Sequence, residues 1–158
     1  MTQRIDYMTT ARGVYEAMSG IEKYLAQASI EQKLRDLVIL RASQINHCAY
    51  CIDMHWKDAR VHGENEQRLY GLDAWRESPY YDERERAALE WTEAITNVRE
   101  TGAPDEVYEV VKKHFSEKEL ADLTLTIAAI NAWNRLAIAA RAPAGTYQAK
   151  AASARRAS

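Results

Sequence analysis

Apolar residues recur three and four positions apart along most of this chain, the spacing of an amphipathic helix and not the alternation of a strand. The first stripe, Val14, Met18, Ile21 and Leu25, predicts a helix from about Thr10 to Ala28. Ser29 followed by Gln32 has the form of a capping box. It opens a second helix that carries Leu34, Leu37, Val38 and Leu40 and runs to about Gln44. Ile45–Asn46–His47 reads as a short connection. A third helix starts near His47 or Cys48 and stops at Gly63, a residue suited to closing a helix. A short helix follows over Glu64–Leu69, then a turn over Asp73–Pro79. Asp82 with Glu85 caps a helix to about Val98, which Thr101–Gly102–Ala103–Pro104 breaks. Pro104 suits the first turn of the next helix, ending near His114. Ser116 with Glu119 caps the longest apolar helix, with Leu120, Leu123, Ile127, Ile130, Leu136 and Ile138. That helix is apolar around most of its circumference, so it is expected at the centre or against a partner subunit.

The expected fold is all-α, a single-domain helical bundle. With 158 residues the chain is long enough for one real core. The domain is placed over residues 1–142. From Pro143 onward Ala, Gly, Ser and Arg dominate, so residues 143–158 are expected to form a flexible tail.

Composition narrows the function. The formal net charge is −2, without the basic excess of a nucleic-acid binder. The one basic cluster, Lys150, Arg155 and Arg156, belongs to the tail. No stretch approaches the roughly 18 uninterrupted apolar residues of a membrane span, and the opening MTQRIDYMTT has no apolar core of a secretion signal. A cytoplasmic location is expected. In that reducing compartment, cysteines three residues apart point to catalysis or metal binding more than to a structural staple.

The chemistry is concentrated in His47–Cys48–Ala49–Tyr50–Cys51–Ile52–Asp53–Met54–His55. On a helix, positions 48, 51 and 55 share one face. The i,i+3 cysteine pair lies within reach of a disulfide. It occupies the first turn, where free N–H groups and the helix dipole favour a thiolate. His55, one turn past Cys51, is placed to accept the thiol proton. An ordered mechanism follows. Cys51, nearer the histidine, attacks a peroxide and becomes a sulfenic acid; Cys48 condenses with it to a disulfide, and an external dithiol reduces that bond. Zinc bound by Cys48, Cys51 and His55 competes with this reading, with His47 or His62 as a fourth ligand, although no second C-x-x-C is present. A redox sensor or general thiol–disulfide oxidoreductase is the other alternative. The chemistry requires no organic cofactor, and no glycine-rich phosphate loop is present. By its apolar neighbours alone, Asp36 reads as the solvated edge of its helix.

The run LRDLVILRASQINHCAYCIDMHWKDAR resembles the core of alkylhydroperoxidase D and the carboxymuconolactone decarboxylase-like superfamily. Their hallmark is an acidic residue followed about twelve residues later by Cys-x-x-Cys-x-x-x-His, matched here by Cys48, Cys51 and His55. Asn131–Ala132–Trp133–Asn134–Arg135 extends the likeness, which covers most of Gly13–Arg141. The resemblance implies an all-helical homo-oligomer, a trimer or hexamer, with peroxidase activity and a lipoyl-type dithiol as reductant. It implies Cys51 as the peroxide-attacking residue and places the family's relay glutamate at Asp36, one methylene shorter. Tyr50 stands where alkylhydroperoxidase D has histidine, and either packs or hydrogen-bonds substrate. True carboxymuconolactone decarboxylases lack the cysteine pair, so the superfamily's name does not give the activity.

Of the remaining residues, His62 and His114 read as helix C-terminal residues favoured by the dipole. The four tryptophans read as core or subunit-contact residues. Asn131 and Asn134, on an apolar helix, need hydrogen-bond partners and are candidates to pair across a subunit boundary.

Overall fold

The computed structural model describes residues 2–150, and every regular element among them is helical. In chain order they are α1 (Tyr7–Thr10), α2 (Arg12–Leu25), α3 (Gln32–Ile45), α4 (Ala49–Val61) and α5 (Glu66–Tyr70), then a 3-10 turn at Leu72–Ala74. There follow α6 (Glu83–Thr96), α7 (Val98–Thr101), α8 (Asp105–Val111) and α9 (Glu117–Ala140).

Helix α3 organises the rest. Its residues Leu34 and Val38 enter one apolar cluster with Ala88 and Trp91 of α6 and Leu123 and Ile127 of α9. Leu37 and Leu40, on its other side, enter a second cluster with Ala59 of α4, Leu69, Leu72 and Leu89. A helix buried on two sides needs apolar residues at adjacent positions, which accounts for the run Leu37–Val38 with neither residue exposed. Helix α9 is long and apolar enough to cross a bilayer by length and composition. Here it packs against α2, α3, α4 and α6, with Leu123 and Ile127 fully buried.

The two capping boxes expected at Asp82–Glu85 and Ser116–Glu119 both form. Two other expectations are corrected. The helix expected over about residues 10–28 forms as α2, with α1 set off before it at Ala11, whose backbone leaves the helical region at φ −141° and ψ 60°. Of its apolar stripe only Leu25 is buried, and Val14 is 38% exposed. The second concerns Ser29, which does not cap α3: the N-cap is Glu31, without a side-chain bond. The Ser29 N–H and hydroxyl both donate to Oδ2 of Asp122 on α9, at 3.0 and 2.7 Å. The buried carboxylate accepts both groups in charge-assisted hydrogen bonds, which hold Ser29 on α9.

Residues 143–150 carry no regular element and lie against the outer side of α4. Gly145 N–H donates to Asp53 (3.1 Å), Lys57 Nζ to the Tyr147 carbonyl (3.0 Å) and the Tyr147 hydroxyl to Asp58 (2.8 Å). The rest of the expected tail, with Arg155 and Arg156, lies outside the described residues.

Asp122 is 2% exposed and also accepts from the Tyr24 hydroxyl (2.7 Å) and Lys118 Nζ (2.8 Å), fastening the α2–α3 connection to α9. The Lys118 ammonium and the Ser29 N–H hold its carboxyl well below the usual carboxylate range. This contribution is complete above the ordinary carboxylate pKa near 4 and is lost as the pH falls further. Asp122→Ala is expected to lower the unfolding free energy at pH 7 by about 2–3 kcal/mol. The loss on going to pH 3 should be smaller in the variant than in the parent. Urea unfolding at both pH values measures this; equal acid sensitivity in the two proteins would remove Asp122 as the anchor.

Candidate active site at the start of helix α4

Helix α3 ends in a left-handed turn. His47 takes φ +55°, its N–H bonds to the Gln44 carbonyl (3.0 Å) and the Cys48 N–H bonds to the Ser43 carbonyl (3.0 Å). This is the paired closure of a Schellman motif, with histidine where glycine is usual. Histidine is among the residues that tolerate this region better than most. His47 is exposed and stands just before α4.

Cys48 is therefore delivered as the N-cap of α4, and its Sγ accepts from the Cys51 N–H at 3.4 Å. A disulfide joins Cys48 and Cys51, whose Cα atoms are 5.3 Å apart. Both residues are nearly inaccessible, at 1% and 2% exposure.

Asparagines lock the turn from behind. Asn46 Nδ2 donates to the side-chain oxygens of Asn131 and Asn134, each at 2.9 Å. Asn134 donates to Ser43 Oγ (3.1 Å), and Asn131 to Thr96 Oγ1 (3.1 Å). Asn131 and Asn134 thus find hydrogen-bond partners within the chain.

Cys51 and His55 line a cavity of about 760 Å³; Cys48 and Asp36 do not. The aromatic rings of Tyr7, Tyr15, Tyr50, Trp133 and Tyr147 border it, with Met8 and Met54. Its wall is completed by the segment before α2, where the Arg4 N–H bonds to the Ala140 carbonyl at 2.7 Å. Burial pushes the His55 imidazole down to about 4, and the Arg35 guanidinium adds in the same direction. His55 is therefore neutral at physiological pH, with the disulfide formed.

Asp36 is not a solvated edge: it is 1% exposed. Its carboxylate bonds to His62 Nδ1 at 2.7 Å and accepts from Gln32 Nε2 at 2.8 Å, and burial still raises its pKa. The structure thus joins Asp36 to His62 at the far end of α4, and His62 is more than a dipole partner. Among the described residues no group of three His, Cys, Asp or Glu side chains is arranged to hold a metal ion.

Residues 12–94 match the carboxymuconolactone decarboxylase family, over half of the chain. The chain belongs to that family. It is 47% identical to the uncharacterized protein YdfG of Bacillus subtilis (strain 168) over 139 residues, 88% of this chain and 95% of that one. Among solved structures it superposes on ATU0492 of Agrobacterium tumefaciens with a TM-score of 0.90 and 41% identity, covering 92% of this chain and all of that one. ATU0492 is described as a protein of unknown function and a candidate antioxidant defence protein AhpD. The debrominase Bmp8 with bound 2,3,4-tribromopyrrole shares the fold at a TM-score of 0.75 and 20% identity, over 88% of this chain and 74% of that one. The chain is thus an alkylhydroperoxidase D-like member of a family whose fold carries more than one chemistry.

Sequence reasoning missed three members of the cavity wall. Arg35 Nη2 donates to Glu22 (2.5 Å), which also accepts from Trp133 Nε1 (3.1 Å). Trp133 packs at a tilt on Tyr15, with ring centroids 6.0 Å apart. The one signal was Arg35 itself, a cation four residues before Ile39 on the same face of α3.

Two outcomes follow from this geometry. Replacing the left-handed histidine, His47→Gly, is expected to stabilise the protein by about 0.5–1 kcal/mol; a loss of stability in chemical unfolding would mean that the side chain holds the turn. The unfolded chain binds the His55 proton near pH 6.5 and the folded oxidised protein only near 4. Stability of the oxidised form should therefore rise by about 3 kcal/mol between those pH values. His55→Gln should flatten that rise, and unchanged slopes in the two proteins would contradict the buried neutral ring.

Proposed function

We propose that this protein is a thiol-dependent peroxidase that reduces organic hydroperoxides. Cys51 attacks, Cys48 resolves and His55 carries the proton. The observation that supports this most is that Cys51 and His55 share the cavity, whereas Cys48, bonded to Cys51, does not.

In the reduced protein His55 takes the Cys51 proton. The thiolate attacks the terminal oxygen of the hydroperoxide; a sulfur–oxygen bond forms and the O–O bond breaks. The departing alkoxide takes the proton from His55 and leaves as an alcohol, and Cys51 is left as a sulfenic acid. The Cys48 thiolate then attacks the Cys51 sulfur, and the hydroxyl group leaves as water with the former Cys48 proton. The product is the disulfide seen here. An external dithiol restores the thiols by two exchanges, itself becoming a disulfide. With both sulfurs nearly buried, a slender lipoyl-type dithiol entering the cavity suits this step better than a protein surface.

The cavity is large for hydrogen peroxide, and its aromatic wall favours a bulky apolar substituent. Asp36 is assigned a positioning role, fixing α4 on α3 through His62. The protein is proposed to act in the cytosol, as a homo-oligomer of three or six chains. Thiol–disulfide exchange without peroxide is the second reading, since it would start from the same disulfide.

In stopped-flow with cumene hydroperoxide, the reduced parent should lose two thiols per chain, and Cys51→Ser none. Cys48→Ser should give one turnover and a sulfenic acid trapped by dimedone, and His55→Ala should react about 10²-fold more slowly. Activity retained in Cys51→Ser would overturn the assignment of roles. Faster reaction with a small disulfide than with any hydroperoxide would favour the second reading.

A further inference from the structure

Among the lining residues of the cavity, Arg35 is the one lysine or arginine. It reaches the cavity from α3, while Cys51 and His55 reach it from α4. Apart from the tyrosines, the other titratable groups facing it are Asp6 from the α1 cap, Glu22 from α2 and His55; α9 supplies none. The Arg35 side chain is 15% exposed, and its Nε is buried without a hydrogen-bond partner. Its ion-pair partner among the described residues, Glu22, is 38% exposed and shares its charge with the Trp133 indole N–H. Water screens the carboxylate more than the guanidinium, so the pair is not neutral toward the cavity interior.

We propose that Arg35 is the electrostatic partner of the Cys51 thiolate, held in the cavity wall by Glu22, and that this pair sets the reactivity of the thiol. The inference deepens the peroxidase reading and rests on it for its effect on turnover, but not for its effect on thiol acidity. The same guanidinium disfavours a proton on His55, one turn beyond Cys51. A field that repels a proton from the ring attracts negative charge at the neighbouring sulfur. It adds to the free N–H groups at the start of α4, which act in the same sense. Protonated His55 is then also the stronger acid toward the departing alkoxide. Arg35 is a positioning residue here, acting through charge on Cys51 and His55.

The test uses the full chain with Cys48→Ser, which leaves Cys51 as the one titrating thiol. Its apparent pKa is read from the pH dependence of iodoacetamide alkylation. Arg35→Gln should raise that pKa by about one unit or more, and Glu22→Gln should lower it by about half a unit. Arg35→Lys should stay near the parent. A merely structural pair would not move the thiol in opposite directions. Should Arg35→Gln fail to fold, the downward shift in Glu22→Gln carries the test alone. Unchanged acidity in Glu22→Gln, or shifts of the same sign in both variants, would overturn the proposal. The cumene hydroperoxide rate at pH 7 should fall about tenfold in Arg35→Gln. Thiol shifts as expected, with no variant faster than a free thiol toward peroxide, would uphold Arg35 and sink the peroxidase reading.

Discussion

The bond from the Cys48 N–H to the Ser43 carbonyl decides where α4 begins, and with it where both sulfurs lie. A helix start has free N–H groups and a positive dipole end, and this turn puts Cys48 and Cys51 within that first turn. The turn would drift if α3 could fray at its end. The asparagines prevent that. Asn46 binds Asn131 and Asn134 of α9, and Ser43 closes the set, so the last turn of α3 is bonded to the longest helix among the described residues. Such a network is worth keeping only when every member is satisfied, and here the amides satisfy one another.

Much of this was legible in the sequence, and what was legible is local. The shared side of Cys51 and His55 follows from helical period, and Gly63 as a closing residue and the capping boxes at Asp82 and Ser116 follow from local residue chemistry. Cys48, the N-cap of α4, stands outside that period and does not line the cavity. What failed depends on packing between elements. Ser29 has the right local form for a cap, but Asp122, 93 residues away, takes its donors. The resemblance implies a relay role for Asp36, yet its partner is set by how α3 runs along α4, which brings His62 to it. The wall formed by Arg35, Glu22 and Trp133 joins three helices through no motif at all.

The site combines opposite demands on one small volume. An apolar, aromatic cavity suits an organic substrate but penalises every charge within it. His55 meets the penalty by staying neutral. Arg35 cannot shed its proton, so it keeps its charge and takes a carboxylate partner at the solvent side. The result is a neutral imidazole and a paired guanidinium in the same pocket.

The disulfide spans only three positions of sequence. A cross-link lowers the entropy of the unfolded chain according to the length of loop it closes: about 2 kcal/mol for a loop this short, against nearly 5 for one of a hundred residues. The bond therefore behaves as a chemical register and hardly as a girder. In the proposed cycle electrons enter and leave it while the folding equilibrium, set by α3 and its two apolar faces, changes comparatively little.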